Sequence, residues 1–159
     1  FDKKMAEVKH RETMTKMLTR NKLKSSRGEL KYCNEEVENK LSGETLELMD
    51  LLTKKHPEHK FSFIIGSDNL PSFKKWSCWE KLVKKYLLWI VSRAGYDIDL
   101  KKYGLDKPKY KFKIVEHPLL IVTNISSTII RNRVKQGLSI TNLVPRNIKN
   151  YIIKHGLYK

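Results

Sequence analysis

The chain of 159 residues carries 33 lysines and arginines against 17 aspartates and glutamates, a net charge of +16, and 40% of its residues are hydrophobic. Its length suits one compact domain with its own core, and no apolar run is long enough to cross a bilayer or to form an N-terminal signal peptide. The two cysteines, Cys33 and Cys78, lack metal-ligand spacing, so we expect reduced thiols in a cytoplasmic protein and no protein-bound metal.

The large positive charge has two interpretations. Lysines are scattered in pairs along the chain, and no stripe of arginines interleaved with aromatic residues appears. This pattern favours a solvated lysine-rich surface over a nucleic-acid partner, and small phosphorylated ligands suit either interpretation. A basic nucleic-acid-binding α/β module, whose affinity should fall steeply with salt, remains an alternative from a different functional class.

Two amphipathic helices are predicted in the first third of the chain. Apolar residues recur on one helical face of residues 6–18. A polar, loop-like stretch follows. Residues 42–57 then predict a second helix, with Ser42 as its N-cap and Pro57 marking its end.

Strands and helices alternate through the rest of the chain. The apolar run 61–65, which stops at Gly66, and the run beginning at residue 86 predict buried parallel strands. A polar excursion covers residues 97–112, and further strand material follows, broken at Pro118, with a strand at Ile121–Val122. Helices are predicted over residues 76–86, 126–137 and 144–159. This alternation indicates a single α/β domain over residues 1–159, built on a parallel sheet.

Polar residues follow two of these strands, "GSDN" after the first and "SST" after Ile121–Val122, at the sheet edge where ligands bind in parallel α/β folds. We expect these two clusters to lie side by side in one crevice. In "GSDN", Gly66 would let a ligand approach the backbone closely. The Asp68 carboxylate can accept hydrogen bonds from two ribose hydroxyls. The alternative is that Asp68 caps the segment that follows it.

The stretch "ISSTIIR", residues 125–131, leads from a predicted strand through a turn into a helix. The first turn of a helix has unpaired N–H groups and a positive dipole end, which suit a phosphate. Ser126 and Ser127 add hydroxyl donors, and Arg131 follows Ser127 by four residues, so it lies on the same face and can contact phosphate oxygens. A serine N-cap followed by a surface arginine would give the same pattern.

Trp76 and Trp79 are three residues apart and would share one face of the predicted helix. One of them could pack in the core while the other offers a flat surface to a heteroaromatic ring, and the alternative is that both belong to the core. The chain has no nucleophile motif and no Walker loop. The sequence therefore offers hydrogen-bond donors and cationic side chains for binding, and no nucleophile.

Taken together, "FIIGSDNLPSFKKWSCWEKLV", "WIVSRAGY", "ISSTIIRNRVKQG" and "LVPRNIKNYIIKHGLY" resemble the nicotinate/nicotinamide mononucleotide adenylyltransferase family of the nucleotidyltransferase superfamily. The resemblance runs through nearly the whole chain in order and implies a Rossmann-like parallel sheet with flanking helices. It also implies a reaction in which the mononucleotide's 5′-phosphate attacks the α-phosphorus of ATP in line, with Mg²⁺ assisting. A related adenylyltransferase, such as one acting on phosphopantetheine, is a second enzyme alternative.

The resemblance also implies roles for the two polar clusters. Ser126, Ser127 and Arg131 would hold the ATP phosphates, with Arg131 catalytic. Gly66 and Asp68 would contact the adenosine ribose.

For the mononucleotide, the resemblance implies that Trp76 stacks on the pyridine ring. Ser42 and Thr45 would lie near the pyridine carboxylate or amide, and Leu41 stands where the family has an aromatic residue. The choice between nicotinate and nicotinamide stays open, as does the assembly of the chain into a homo-oligomer.

The beginning of the chain differs from the family pattern. The family opens with a strand, a glycine-rich turn and "FDPxHxGH"-like residues, whereas this chain begins with "FDKKMAEVKH". His10 has no second histidine or glycine at the matching spacing, while Lys3 and Lys4 resemble a lysine in a loop that reaches the phosphates. We therefore expect that the chain lacks the first β-α-β unit of the domain.

Overall fold

A computed structural model describes residues 5–20 and 28–159. Lys3 and Lys4 lie outside these residues. In chain order, the elements are α1 (Val8–Arg20), α2 (Glu35–Glu38), α3 (Thr45–Lys55), β1 (Ser62–Gly66), a 3₁₀-helix (Ser67–Lys75), α4 (Trp79–Lys85), β2 (Leu87–Val91), β3 (Phe112–Val115), α5 (Ser127–Lys135) and α6 (Arg146–Lys154).

The chain forms two compact units. The terminal unit combines Phe1–Asn34 with Ile125–Lys159, and the sheet unit is Glu35–Asn124. That residues 1–159 form a single domain stays a prediction.

The sheet unit contains three parallel strands in the order β1-β2-β3. Ile65 lies opposite Ile90, and Ile90 lies opposite Ile114, so these three side chains form a continuous apolar row on one face of the sheet. The polypeptide returns from β1 to β2 through the 3₁₀-helix and α4, as parallel pairing requires. The predicted α/β fold with a parallel sheet is confirmed.

One face of this sheet forms the core of the sheet unit. Ile65, Leu88 and Ile90 are at most 3% exposed and belong to the same buried cluster as Phe73 and Leu82. On the other face, Ile64 is 68% exposed. The prediction of a buried strand is therefore correct for only one face of β1. A continuous apolar run cannot reveal which face of a pleated strand is covered.

The segment predicted as a polar excursion contributes to the core as well. Leu105 and Tyr110 are 1% and 8% exposed and pack in the sheet unit's buried cluster. The Tyr110 hydroxyl donates a hydrogen bond of 3.1 Å to Glu80 at the start of α4. Two apolar anchors thus bind this lysine-rich loop to the sheet.

The predicted strand at Ile121–Val122 is wrong, because β3 ends at Val115 and no strand follows it among the described residues. A turn at Pro118, closed by the Leu120 N–H bonding the His117 carbonyl at 2.9 Å, interrupts the extended chain. Ile121 is 86% exposed. Among the described residues, no strand pairs with this run, so its backbone forms no ladder.

In the terminal unit, α1 packs against α6. A small core of isoleucines from α5, α6 and their connection is joined by Met14 and Met17 of α1. The helices predicted at residues 126–137 and 144–159 are confirmed. Gly137 and Gly156 follow their ends with φ of +70° and +59°, a conformation that glycine adopts without strain.

In the described part of the chain, no helix is both long and apolar enough to cross a membrane. Cys33 and Cys78 are exposed and form no disulfide.

Candidate functional site

The first polar cluster lies at the carboxyl end of β1. Gly66 ends the strand, and Asp68 lies in the first turn of the 3₁₀-helix. The N-cap of this helix is Gly66, so Asp68 is not its capping residue. Instead, Oδ1 of Asp68 forms an ion pair with Arg93, 2.9 Å from its Nε, and each side chain is about one third exposed.

The absence of a side chain at Gly66 has a local cause. A Cβ atom built on Gly66 would lie 2.3 Å from Oδ1 of Asp68 and 2.7 Å from Nε of Arg93. Both distances are shorter than real Cβ contacts. The protein's own ion pair therefore lies where a Gly66 side chain would be, and the close approach of a ligand to this backbone stays a prediction.

Ser67 connects this strand end to the turn after β2. Its side chain is completely buried, donates a hydrogen bond of 2.8 Å to the Tyr96 carbonyl and accepts one of 2.9 Å from the Arg93 N–H. Gly66 is paired with Val91, so the residues that follow both strands emerge at the same edge of the sheet. Sequence reasoning missed Ser67 and Arg93. An arginine two residues beyond a strand paired with β1 was the available signal.

A cavity of about 400 Å³ opens at this edge. It is lined by the turn at residues 92–98 together with Ile114, Glu116 and Val122. The volume is within the range of small-molecule sites, and the carboxyl ends of parallel strands are where such sites occur. A second cavity of about 500 Å³, lined by Lys60 and Trp89 among others, lies at the opposite end of the strands.

The expectation that Trp76 and Trp79 share a helical face is wrong. The 3₁₀-helix ends at Lys75, Trp76 is extended, and α4 begins only at Trp79, after Cys78 with a φ of +51°. The left-handed Cys78 therefore lies between the two tryptophans and outside both helices.

Both tryptophan rings pack against the hydrophobic core. The Trp76 ring lies 5.1 Å from the Phe73 ring and 6.4 Å from the Phe63 ring, between centroids. The Trp79 ring lies 5.7 Å from the Tyr110 ring. Trp76 is half-buried, so part of its surface stays accessible, and its stacking on a pyridine ring stays a prediction.

Ser42 is not the N-cap of α3, which begins at Thr45 with Glu44 as the capping residue. The Ser42 hydroxyl and N–H instead donate hydrogen bonds of 2.6 and 2.8 Å to the Glu47 carboxylate. These bonds lower the pKa of Glu47 below its ordinary value of 4.5, the hydroxyl contributing most. Glu47 thus reaches back over the helix start and orders the loop before it. The contacts of Ser42 and Thr45 with a mononucleotide stay predictions.

The second polar cluster has the predicted local geometry. Ser126 is the N-cap of α5, and its oxygen accepts the Ile129 N–H at 3.2 Å. Nη2 of Arg131 donates to the Thr128 hydroxyl at 3.1 Å, which places both side chains on one face of the helix. The cap uses a lone pair of the Ser126 oxygen, so its hydroxyl proton can still be donated to a phosphate. Ser127 is the first residue of α5.

The chain matches the model of the cytidylyltransferase-like family over residues 2–133. A curated relative from Myxococcus xanthus, a probable nicotinate-nucleotide adenylyltransferase, is 30% identical over 158 residues, which cover 99% of this chain and 73% of the relative. The chain belongs to the nicotinate-nucleotide adenylyltransferase family. A relative with the same description from Lachnoclostridium phytofermentans is 41% identical over 109 residues, 67% of this chain and 54% of that protein.

A solved structure shares the fold of this family member. The nicotinic acid mononucleotide adenylyltransferase of Plasmodium falciparum, complexed with NaAD, matches with a TM-score of 0.73 and 26% identity over 99% of this chain and 77% of that one. The chain spans about half to two thirds of the length of the first curated relatives it matches.

Within this family member, Gly66 and Asp68 belong to the sheet unit, whereas Ser126, Ser127 and Arg131 belong to the terminal unit. The prediction that the two clusters share one crevice therefore stays a prediction. Among residues 5–20 and 28–159, no group of three or more His, Cys, Asp or Glu side chains could hold a metal ion.

Proposed function

We propose that the full-length protein transfers the adenylyl group of ATP to nicotinate mononucleotide, a step of NAD biosynthesis. The observation that supports this most is the similarity over 99% of the chain to an enzyme solved with NaAD. The curated relatives named for the nicotinate substrate favour it over nicotinamide mononucleotide.

In the proposed reaction, an oxygen of the mononucleotide's 5′-phosphate forms a bond to the α-phosphorus of ATP. The bond from that phosphorus to the oxygen shared with the β-phosphate breaks, and pyrophosphate leaves with the electron pair. No enzyme nucleophile is needed, so the protein's work is to position two anions and to stabilise developing negative charge.

The N-terminus of α5 would bind the ATP phosphates. The N–H groups of its first turn and the hydroxyls of Ser126 and Ser127 are donors, and the helix dipole favours negative charge there. Arg131 lies one turn further along the same helix. Its planar guanidinium would contact the β- or γ-phosphate and stabilise the departing pyrophosphate.

The carboxyl end of β1 would bind the adenosine ribose. The Asp68 carboxylate keeps acceptor capacity beyond its bond to Arg93, because two carboxylate oxygens together offer about four lone-pair positions. Trp76 would stack on the pyridine ring, with Ser42 and Thr45 near the nicotinate carboxylate. Because Gly66 has no side chain, the Asp68–Arg93 ion pair can lie against the backbone at the end of β1.

Mg²⁺ would arrive with ATP, bound by phosphate oxygens and water as this ion prefers. The described residues offer no cluster of acidic ligands for it, so the proposal assigns it no protein ligand. The proposed partners are ATP and the mononucleotide, without a membrane or a nucleic acid, and a homo-oligomer is compatible with them. The exposed free cysteines suit the reducing cytoplasm.

The test is a pyrophosphate-release assay on the full-length protein with ATP, Mg²⁺ and either nicotinate or nicotinamide mononucleotide. We expect turnover with both substrates present and a preference for nicotinate mononucleotide. Phosphopantetheine in place of the mononucleotide tests the related adenylyltransferase alternative. No turnover with either pyridine mononucleotide, together with tight salt-sensitive binding of DNA or RNA, would replace the proposal by the nucleic-acid alternative.

A further inference from the structure

Two consecutive residues at the end of β1 hold a single residue of the turn after β2. The buried Ser67 hydroxyl accepts a hydrogen bond from the backbone N–H of Arg93, and the neighbouring Asp68 carboxylate forms an ion pair with the Arg93 guanidinium. Backbone and side chain of Arg93 are therefore both bonded to the same short segment. A carboxylate held in this way has less rotational freedom than one on an exposed loop.

The Ser67 hydroxyl also orders the turn that presents Arg93. It donates to the Tyr96 carbonyl, and Tyr96 in turn donates its N–H to the Arg93 carbonyl at 3.1 Å. This turn lines the cavity at the carboxyl end of the sheet. The Ser67 hydroxyl thus connects the end of β1 to the turn after β2, and this turn holds Arg93 where its guanidinium contacts Asp68.

We propose that Ser67 and Arg93 are positioning residues that direct the Asp68 carboxylate toward the ribose hydroxyls of ATP. The inference rests on the proposed function, in which Asp68 binds this diol. Both hydroxyls of a diol can bond one carboxylate only when its plane is correctly oriented. A positioned group therefore binds better than a freely rotating one of the same charge.

The experiment uses Ser67→Ala and Arg93→Gln in the full-length protein, with Ser72→Ala as the matched control. Ser72 lies in the same 3₁₀-helix and bonds only locally, to the Asn69 carbonyl at 3.4 Å. Affinities for ATP and for 2′,3′-dideoxy-ATP, which lacks the diol, are measured by calorimetry, and KM and kcat are measured for both substrates.

Both test variants should lose about tenfold in ATP affinity while dideoxy-ATP binding stays within about twofold, so the preference for ATP nearly disappears. KM for the mononucleotide should stay close to the wild-type value. The control should keep the full preference. Equal losses for ATP and dideoxy-ATP, or an unchanged preference in folded variants, would overturn the proposal.

Hydrogen exchange provides a readout that does not depend on turnover. The amide of Arg93 should be protected in the wild type and in Ser72→Ala but should exchange much faster in Ser67→Ala, because that variant removes its acceptor. If the Arg93 amide stays protected in Ser67→Ala, the proposed hydrogen bond between Ser67 and Arg93 is refuted. If Ser67→Ala does not fold, Arg93→Gln, at a side chain that is about one third exposed, decides the question by the preference for ATP over dideoxy-ATP. Absence of adenylyl transfer by the wild type would refute the proposed function. The hydrogen-exchange result would then still test the Ser67–Arg93 hydrogen bond by itself.

Discussion

Replacing Gly66 by alanine adds one methyl group at the most crowded point of the candidate site. The backbone φ of −79° suits alanine, so any cost must come from contacts and not from backbone strain. The new Cβ would lie 2.3 Å from Oδ1 of Asp68 and 2.7 Å from Nε of Arg93. Restoring an ordinary contact requires the carboxylate to move by about 1 Å, which separates it from Arg93 or displaces both groups.

The expected free-energy change combines three effects. Forcing a methyl group into a packed position costs about 1–3 kcal/mol, and the partly exposed ion pair contributes only about 0.2–1 kcal/mol. Alanine restricts the unfolded chain and returns about 0.4–1 kcal/mol. We therefore expect Gly66→Ala to lower the free energy of unfolding by about 1–2 kcal/mol, equivalent to a fall in Tm of about 2–8 °C for a chain of this size.

The assay is thermal and denaturant unfolding of Gly66→Ala in the wild-type background and in an Asp68→Ala background. Without the carboxylate, the nearer of the two groups that the methyl meets is gone, so the added methyl should cost less than half as much. Gly28→Ala is the control, because a Cβ at Gly28 meets no atom of the described residues within 4 Å. An equal cost in both backgrounds would refute the steric argument, as would a Gly66→Ala variant as stable as the wild type.

Three further predictions concern other parts of the chain. Arg131→Ala should lower kcat/KM in steady-state assays, mostly through kcat, by an amount equivalent to about 2–4 kcal/mol of transition-state stabilisation, with little change in Tm. Arg131→Lys should also be impaired, because lysine lacks the planar guanidinium. Trp76→Ala should raise KM for the mononucleotide about two- to thirtyfold and that for ATP much less. Asp50→Asn should lower the free energy of unfolding at pH 7 by about 0.2–1 kcal/mol. Burial by itself raises the pKa of Asp50, but hydrogen bonds from Lys85 and Tyr86 outweigh it and lower the pKa below 3.8. The wild-type advantage should therefore be complete above that value and disappear as the pH falls through the folded-state pKa.

Each of these predictions has an outcome that contradicts it. Near-normal kcat/KM in a folded Arg131→Ala protein would leave the arginine as an ordinary surface residue of a capped helix. Equal rises in both KM values for Trp76→Ala would assign that ring to the core alone. A stability difference for Asp50→Asn that persists unchanged down to pH 3 would show that the carboxylate's charge is not what stabilises the fold.

Part of this fold can be predicted from local sequence pattern alone. The helix α1 follows from apolar residues recurring at helical spacing, and α5 and α6 follow from the residues at their ends. Glycines at 137 and 156 follow the ends of two of them because the left-handed conformation there suits no other residue as well. Short apolar runs alternating with helices likewise predict parallel strands, and Ser126 as the cap of α5 follows from its place before the helix. All these features depend on residues within one or two turns of each other.

The tertiary structure decided what depends on distant residues. The link between Ser67 and Arg93 joins positions 26 residues apart and exists only because Gly66 is paired with Val91. The exposure of Ile64, the extended Trp76 between two helices and the loss of the strand at Ile121–Val122 were also not visible locally. Hydrophobicity shows that a residue can be buried, but burial requires a covering neighbour. Likewise, a strand needs a partner for its backbone hydrogen bonds, and only the packed chain determines which segments find one.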